Sequence, residues 1–129
     1  MNVPVPANSA ALVRSACAVL LRDLPAALAH GAKRRPVTGD PTRTAAWGDP
    51  PVTLACGVPL PDQTQAPLII DDLRFVTTKT AGRVLWTTQD RAVNVTLDIP
   101  TAYAPQADLV LPLVAILKKL PEPAAAPGA

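Results

Sequence analysis

Sixteen prolines in 129 residues constrain this chain more than any other feature. A proline fixes φ and lacks a backbone donor, so it breaks helix interiors and is excluded from central strands. Here the prolines cluster at both ends and between the periodic segments, so the best periodic segments are where helices and strands can run. The connections between them are stiff.

The first such segment follows Asn8 and Ser9, either of which can cap a helix. Along it Ala10, Val13, Cys17, Leu20, Leu21 and Leu24 fall on one stripe, with Arg14, Ser15 and Arg22 opposite. Pro25 restricts Leu24 and ends this helix or restarts it as a short turn closing at His30 and Gly31. No period is visible from Ala32 to Ala46, which predicts a basic surface loop. Val52 to Cys56 alternates as a short strand with the second cysteine on its inward face. Leu73 to Lys79 and Arg83 to Gln89 read as strands joined by a turn at Thr80, Ala81 and Gly82. Ala92 to Ile99 is the clearest strand, with Val93, Val95, Leu97 and Ile99 inward and Asn94, Thr96 and Asp98 outward. Gln106 to Leu120 carries apolar residues at helical spacing, with Lys118 and Lys119 at its dipole's negative end and Pro112 in its first turns.

The expected fold is therefore α+β: a mostly antiparallel sheet of about four strands, the last three a meander, with N- and C-terminal helices packed on one face. Residues 9–120 form a single domain, 1–8 an N-terminal extension and 121–129 a disordered Pro/Ala tail. Only 3% of residues are aromatic, so Trp47, Phe75, Trp86 and Tyr103 are the few large pieces of a core otherwise made of aliphatic side chains. A net charge of +2 and a charged fraction of 17% give no nucleic-acid surface. No apolar run reaches the length of a membrane span. Residues 1–8 lack the basic and apolar regions of a signal peptide, so an exported protein of this kind would begin after its export segment.

Cys17 and Cys56 have neither CxxC spacing nor enough histidine around them for a zinc set, so no metal is expected. Both are predicted on core-facing positions of elements that pack together, which favours a disulfide and an oxidising compartment. Two buried free thiols acting as small hydrophobes are the alternative.

The search for chemistry finds little. His30 is the single imidazole and has no nucleophile motif beside it. Asp71 and Asp72 are adjacent, so an extended backbone points them to opposite sides, and a turn role fits better than an acid–base pair. No phosphate or dinucleotide loop is present, and no cofactor is expected. Asn94, Val95 and Thr96 match a glycosylation sequon on a strand. Lys33, Arg34 and Arg35 concentrate positive charge. Trp47, Gly48, Asp49, Pro50 and Pro51 combine a large ring, a residue free to take positive φ, a turn former and two fixed φ angles. This rigid corner either plugs Trp47 into the core or displays it for a partner.

The run AAWGDPPVTLACG, with Cys17 upstream, the pair Arg34 and Arg35, and TTQDRAVNVTLDIP with Tyr103 downstream, resembles an actinobacterial family of small secreted or membrane-anchored proteins, domain of unknown function three-five-one-five. The resemblance spans about Ala16 to Leu117. It implies a cell-envelope location, membrane anchoring of the whole protein and a Cys17–Cys56 bond, and it carries no catalytic residue. Together these readings lead us to expect an extracytoplasmic, non-catalytic module that binds an envelope protein or cell-wall component. Its expected surface joins Arg34, Arg35, Trp47, Gly48 and Asp49 to Asp90 and Arg91 of the meander turn. An envelope-glycan hydrolase using Asp49 and Asp90 near Trp47 is the alternative.

Overall fold

A computed structural model of the chain describes residues 7–28, 31–37, 43–58, 67–89, 91–103 and 106–120. Residues 1–6 of the expected 1–8 extension, the tail at 121–129, His30 and Asp90 lie outside the described residues, whereas Ala7 and Asn8 belong to the first helix, which starts before the cap expected at Asn8 or Ser9. Two helices and eight strands follow in the order α1 (Ala7–Asp23), β1 (Ala27–Leu28), β2 (Ala32–Arg35), β3 (Thr44–Trp47), β4 (Val52–Val58), β5 (Leu68–Ile70), β6 (Leu73–Thr80), β7 (Arg83–Thr88), β8 (Asn94–Pro100) and α2 (Ala107–Leu117). The strands form one antiparallel sheet in the order β1-β2-β3-β4-β8-β7-β6-β5.

The α+β class, the meander of β6, β7 and β8 and the two terminal helices agree with the sequence. The sheet has eight strands and not four. Four were missed for local reasons. β1 has two residues, and β2, between β1 and β3, is the polar segment AKRR with one buried position, so neither presents a period. β3 is TAAW, three of its four residues buried on alternate faces, so no polar partner marks the alternation. β5 is three residues between Pro67 and the Asp71–Asp72 turn. Consequently the segment expected as a loop from Ala32 to Ala46 holds β2 and most of β3. Asp71 and Asp72 form the tight β5–β6 turn, both with positive φ, which Asp tolerates better than most residues.

One face of the sheet is buried by both helices. Val52, Leu54 and Cys56 of β4 and Val95, Leu97 and Ile99 of β8 share one core with Cys17 and Leu20 of α1 and with Leu109, Val110, Leu113, Val114 and Leu117 of α2. Phe75 and Trp86 meet edge to face within it, 5.8 Å between centroids. Pro112 sits inside α2 on its exposed side. Asn94 was expected to face water and is buried instead. Its side chain accepts from Thr88 Oγ1 at 2.9 Å and donates to the Arg91 carbonyl at 2.8 Å, which closes the β7–β8 turn and removes the sequon from the surface.

Cys17 and Cys56 are bonded, with Cα atoms 5.8 Å apart, and both are fully enclosed by the core. The bond joins α1 to the middle of the sheet across a sequence separation of 39 residues. In the chain-entropy account, closing such a loop stabilises the fold by about 4 kcal/mol. We expect Cys17→Ser with Cys56→Ser to lower the unfolding free energy by that order in chemical denaturation. Two free thiols in non-reducing mass spectrometry of protein folded under oxidising conditions would contradict the bond itself.

Candidate functional site

The most constrained part of the surface is the β3–β4 connection, Gly48 to Pro51. Trp47 at its start is 0% exposed, and its indole N–H donates to the Pro25 carbonyl at 3.0 Å. The ring is therefore a core plug, tied to the chain just after α1. Gly48 has φ +76° and donates its N–H to the Lys33 carbonyl at 2.9 Å. A Cβ at this position would lie 2.5 Å from the Tyr103 hydroxyl and 2.9 Å from Ala32 Cβ, so both backbone angle and space require glycine. The Asp49–Pro50 peptide is cis. Tyr103 donates to the Pro50 carbonyl at 2.7 Å, and Arg83 donates through Nη2 to the Pro51 carbonyl at 3.2 Å while pairing with Asp98. Gly48, Pro50 and Pro51 are thus each held by a neighbour of distant sequence.

Arg34 and Arg35 border this corner from opposite sides of β2, as strand alternation requires. Arg34 lies over the Trp47 ring, 5.5 Å from its centroid. Arg35 turns to the other face, donates to the Gly48 carbonyl at 2.7 Å and stands 4.0 Å from the Asp49 carboxylate. On that face the sheet has a hollow of about 350 Å³ lined by Arg35, Pro36, Val37, Pro51, Thr53 and Ala55, among others. Its depth comes from small side chains: Ala46 and Ala55 leave space where a larger residue would fill the sheet surface. The guanidinium of Arg35 is its cationic rim, and its bond to Gly48 uses one of five donors in a planar fork suited to carboxylate or phosphate.

Of the residues singled out in the sequence, Arg34, Arg35, Trp47, Gly48 and Asp49 come together. Arg91 does not join them. The β3–β4 corner adjoins the end of β8, whereas Arg91 precedes its start, and the seven-residue strand sets them roughly 20 Å apart. Arg91 is also buried, its backbone N–H on Asn94 Oδ1 at 3.2 Å and its Nη1 directed at the Leu120 carbonyl at 3.5 Å, in the turn that follows α2. It is a tie between the meander turn and that helix. Asp49 is 92% exposed, solvated beside Arg35, and the second carboxylate of the hydrolase reading, Asp90, lies outside the described residues. Sequence reasoning missed Arg83 and the hollow itself, since both depend on strand pairing. The small residues Ala46 and Ala55 were the visible trace of that hollow.

A family model described as "Protein of unknown function (DUF3515)" matches residues 1–124. No curated protein and no solved structure matches the chain.

Burial of Trp47 sets two expectations. Trp47→Ala should cost about 3 to 5 kcal/mol in denaturant unfolding, whereas Arg34→Ala with Arg35→Ala should cost about 1 kcal/mol or less because both side chains face solvent. Gly48→Ala should destabilise by about 1 to 3 kcal/mol through its left-handed φ alone. A Trp47→Ala protein with unchanged stability would contradict the plug.

Proposed function

The chain belongs to the DUF3515 family, and from that membership we propose that it is a non-catalytic module acting outside the cytoplasm, in the cell envelope, where it binds an envelope protein or cell-wall component bearing a carboxylate or phosphate. The observation that carries this reading is Arg35 held at the rim of the hollow by the Gly48 carbonyl. A guanidinium fixed before binding loses little freedom on meeting an anion, which is what a recognition surface on a rigid scaffold needs. The buried disulfide supports the location, since such a bond persists in an oxidising compartment. Among the described residues the Asp49 carboxylate of the glycan-hydrolase reading is exposed, 4.0 Å from the Arg35 guanidinium.

The test is capture from detergent-solubilised envelope on the immobilised folded protein, with two variants. Arg35→Glu reverses the rim charge, and Ala55→Leu fills the floor. Both should abolish capture while the melting temperature stays near that of the parent, and capture by the parent should weaken as salt is raised. A partner retained by both folded variants would place the binding surface elsewhere on the molecule.

A further inference from the structure

We propose that the chain forms a two-fold dimer in which β5 pairs antiparallel with β5 of a second copy, centred on Ile69. β5 is the last strand of the sheet and, among the described residues, pairs only with β6. Ile70 and Leu73 flank the two-residue turn Asp71–Asp72, and the residues flanking such a turn exchange both backbone bonds. Alternation then directs the N–H and C=O of Ile69 away from β6. A second observation agrees: Arg74, which stands opposite Ile69, gives its carbonyl to the Gln89 N–H at 3.0 Å on the far side of β6. Ile69 and Arg74 are thus a wide pair, and both backbone groups of Ile69 face outward.

The edge carries none of the charge that blunts an open strand. Pro67, Leu68, Ile69 and Ile70 are uncharged, with Leu68 46% and Ile69 54% exposed. A two-fold axis at Ile69 sets Ile69 against Ile69 of the second copy, so that each donates to the other's carbonyl. In the same register Leu68 faces Ile70 of the second copy on one side of the joined sheets and covers its own exposed surface there. Pro67 falls opposite Asp71 of the second copy, where its carbonyl accepts the Asp71 N–H and its missing donor limits the ladder. No like charges confront each other in this register. The length of the edge selects the occupant. Proline on one side and the turn on the other leave three residues to pair, a short ladder that an identical edge matches in full and a longer strand overruns. The contact is small, so association should be weak and concentration-dependent.

Sedimentation of the full chain over a wide concentration range tests this, with Ile69→Pro and Ile69→Lys beside the parent. The parent should show a monomer–dimer equilibrium, and its Ile69 amide should exchange with deuterium more slowly as concentration rises. Ile69→Pro removes only an outward donor, so the melting temperature should hold while the dissociation constant rises roughly tenfold or more. Ile69→Lys should do the same by charge and keeps the test alive if proline disturbs the edge. A monomer at every concentration overturns the proposal. So does a dimer that survives both Ile69 variants and is lost on Leu12→Ser with Val19→Ser, which would assign the contact to the groove between α1 and α2.

Discussion

The bond between Cys17 and Cys56 sits where α1 crosses the centre of the sheet, and the rest of the architecture is referred to that junction. It fixes one helix on β4, the strand that links the small β1–β3 segment to the meander. Because α1 is pinned there, the chain after it is positioned as well, and Pro25 offers its carbonyl to the Trp47 indole. Trp47 in turn anchors the corner, and the corner holds Arg35 over the hollow. A chain of dependence therefore runs from a covalent tie in the core to a polar group on the surface.

With only four aromatic side chains, the fold fastens its periphery by polar side chains that reach several backbone groups at once. Gln106, just before α2, accepts from the Trp86 indole at 2.8 Å and donates to the Pro100 carbonyl at 3.1 Å, which ties that helix to the end of β8. Asn94 does the same for the opposite end of the sheet. Arg43 donates to the Cys56 and Gly57 carbonyls beside the β4 bulge, where Gly57 has φ +81°. Buried polar atoms cost little when satisfied in this way, and each such clamp specifies one arrangement of the elements it joins.

Reading the sequence found the elements whose period survives burial on one face. α1, β6, β7, β8 and α2 each present an apolar side and a wet side, so their spacing reports their geometry. β2 and β3 do not, because a short strand with three of four residues exposed and a strand buried on both faces lose the contrast that the method reads. The candidate site divides the same way. Trp47, Gly48 and Asp49 announced a rigid corner through their own backbone preferences, and Arg34 and Arg35 announced charge. That Arg34 lies over the Trp47 ring while Arg35 turns to the hollow follows from a strand the sequence did not reveal.

Local chemistry was decided residue by residue: where φ is fixed, where a turn must fall, which positions avoid water, and that two cysteines face the core. Those preferences are intrinsic to each side chain and its near neighbours. Which strands lie side by side is a property of the whole chain, since antiparallel pairing brings Thr53 to Asp98 and Arg83 to Pro51 across long separations in sequence. The pairing alone set Arg91 at the far end of the sheet from the corner, buried Asn94 beneath a turn and left Ile69 on an open edge, because each outcome depends on what the folded chain packs or fails to pack against that residue.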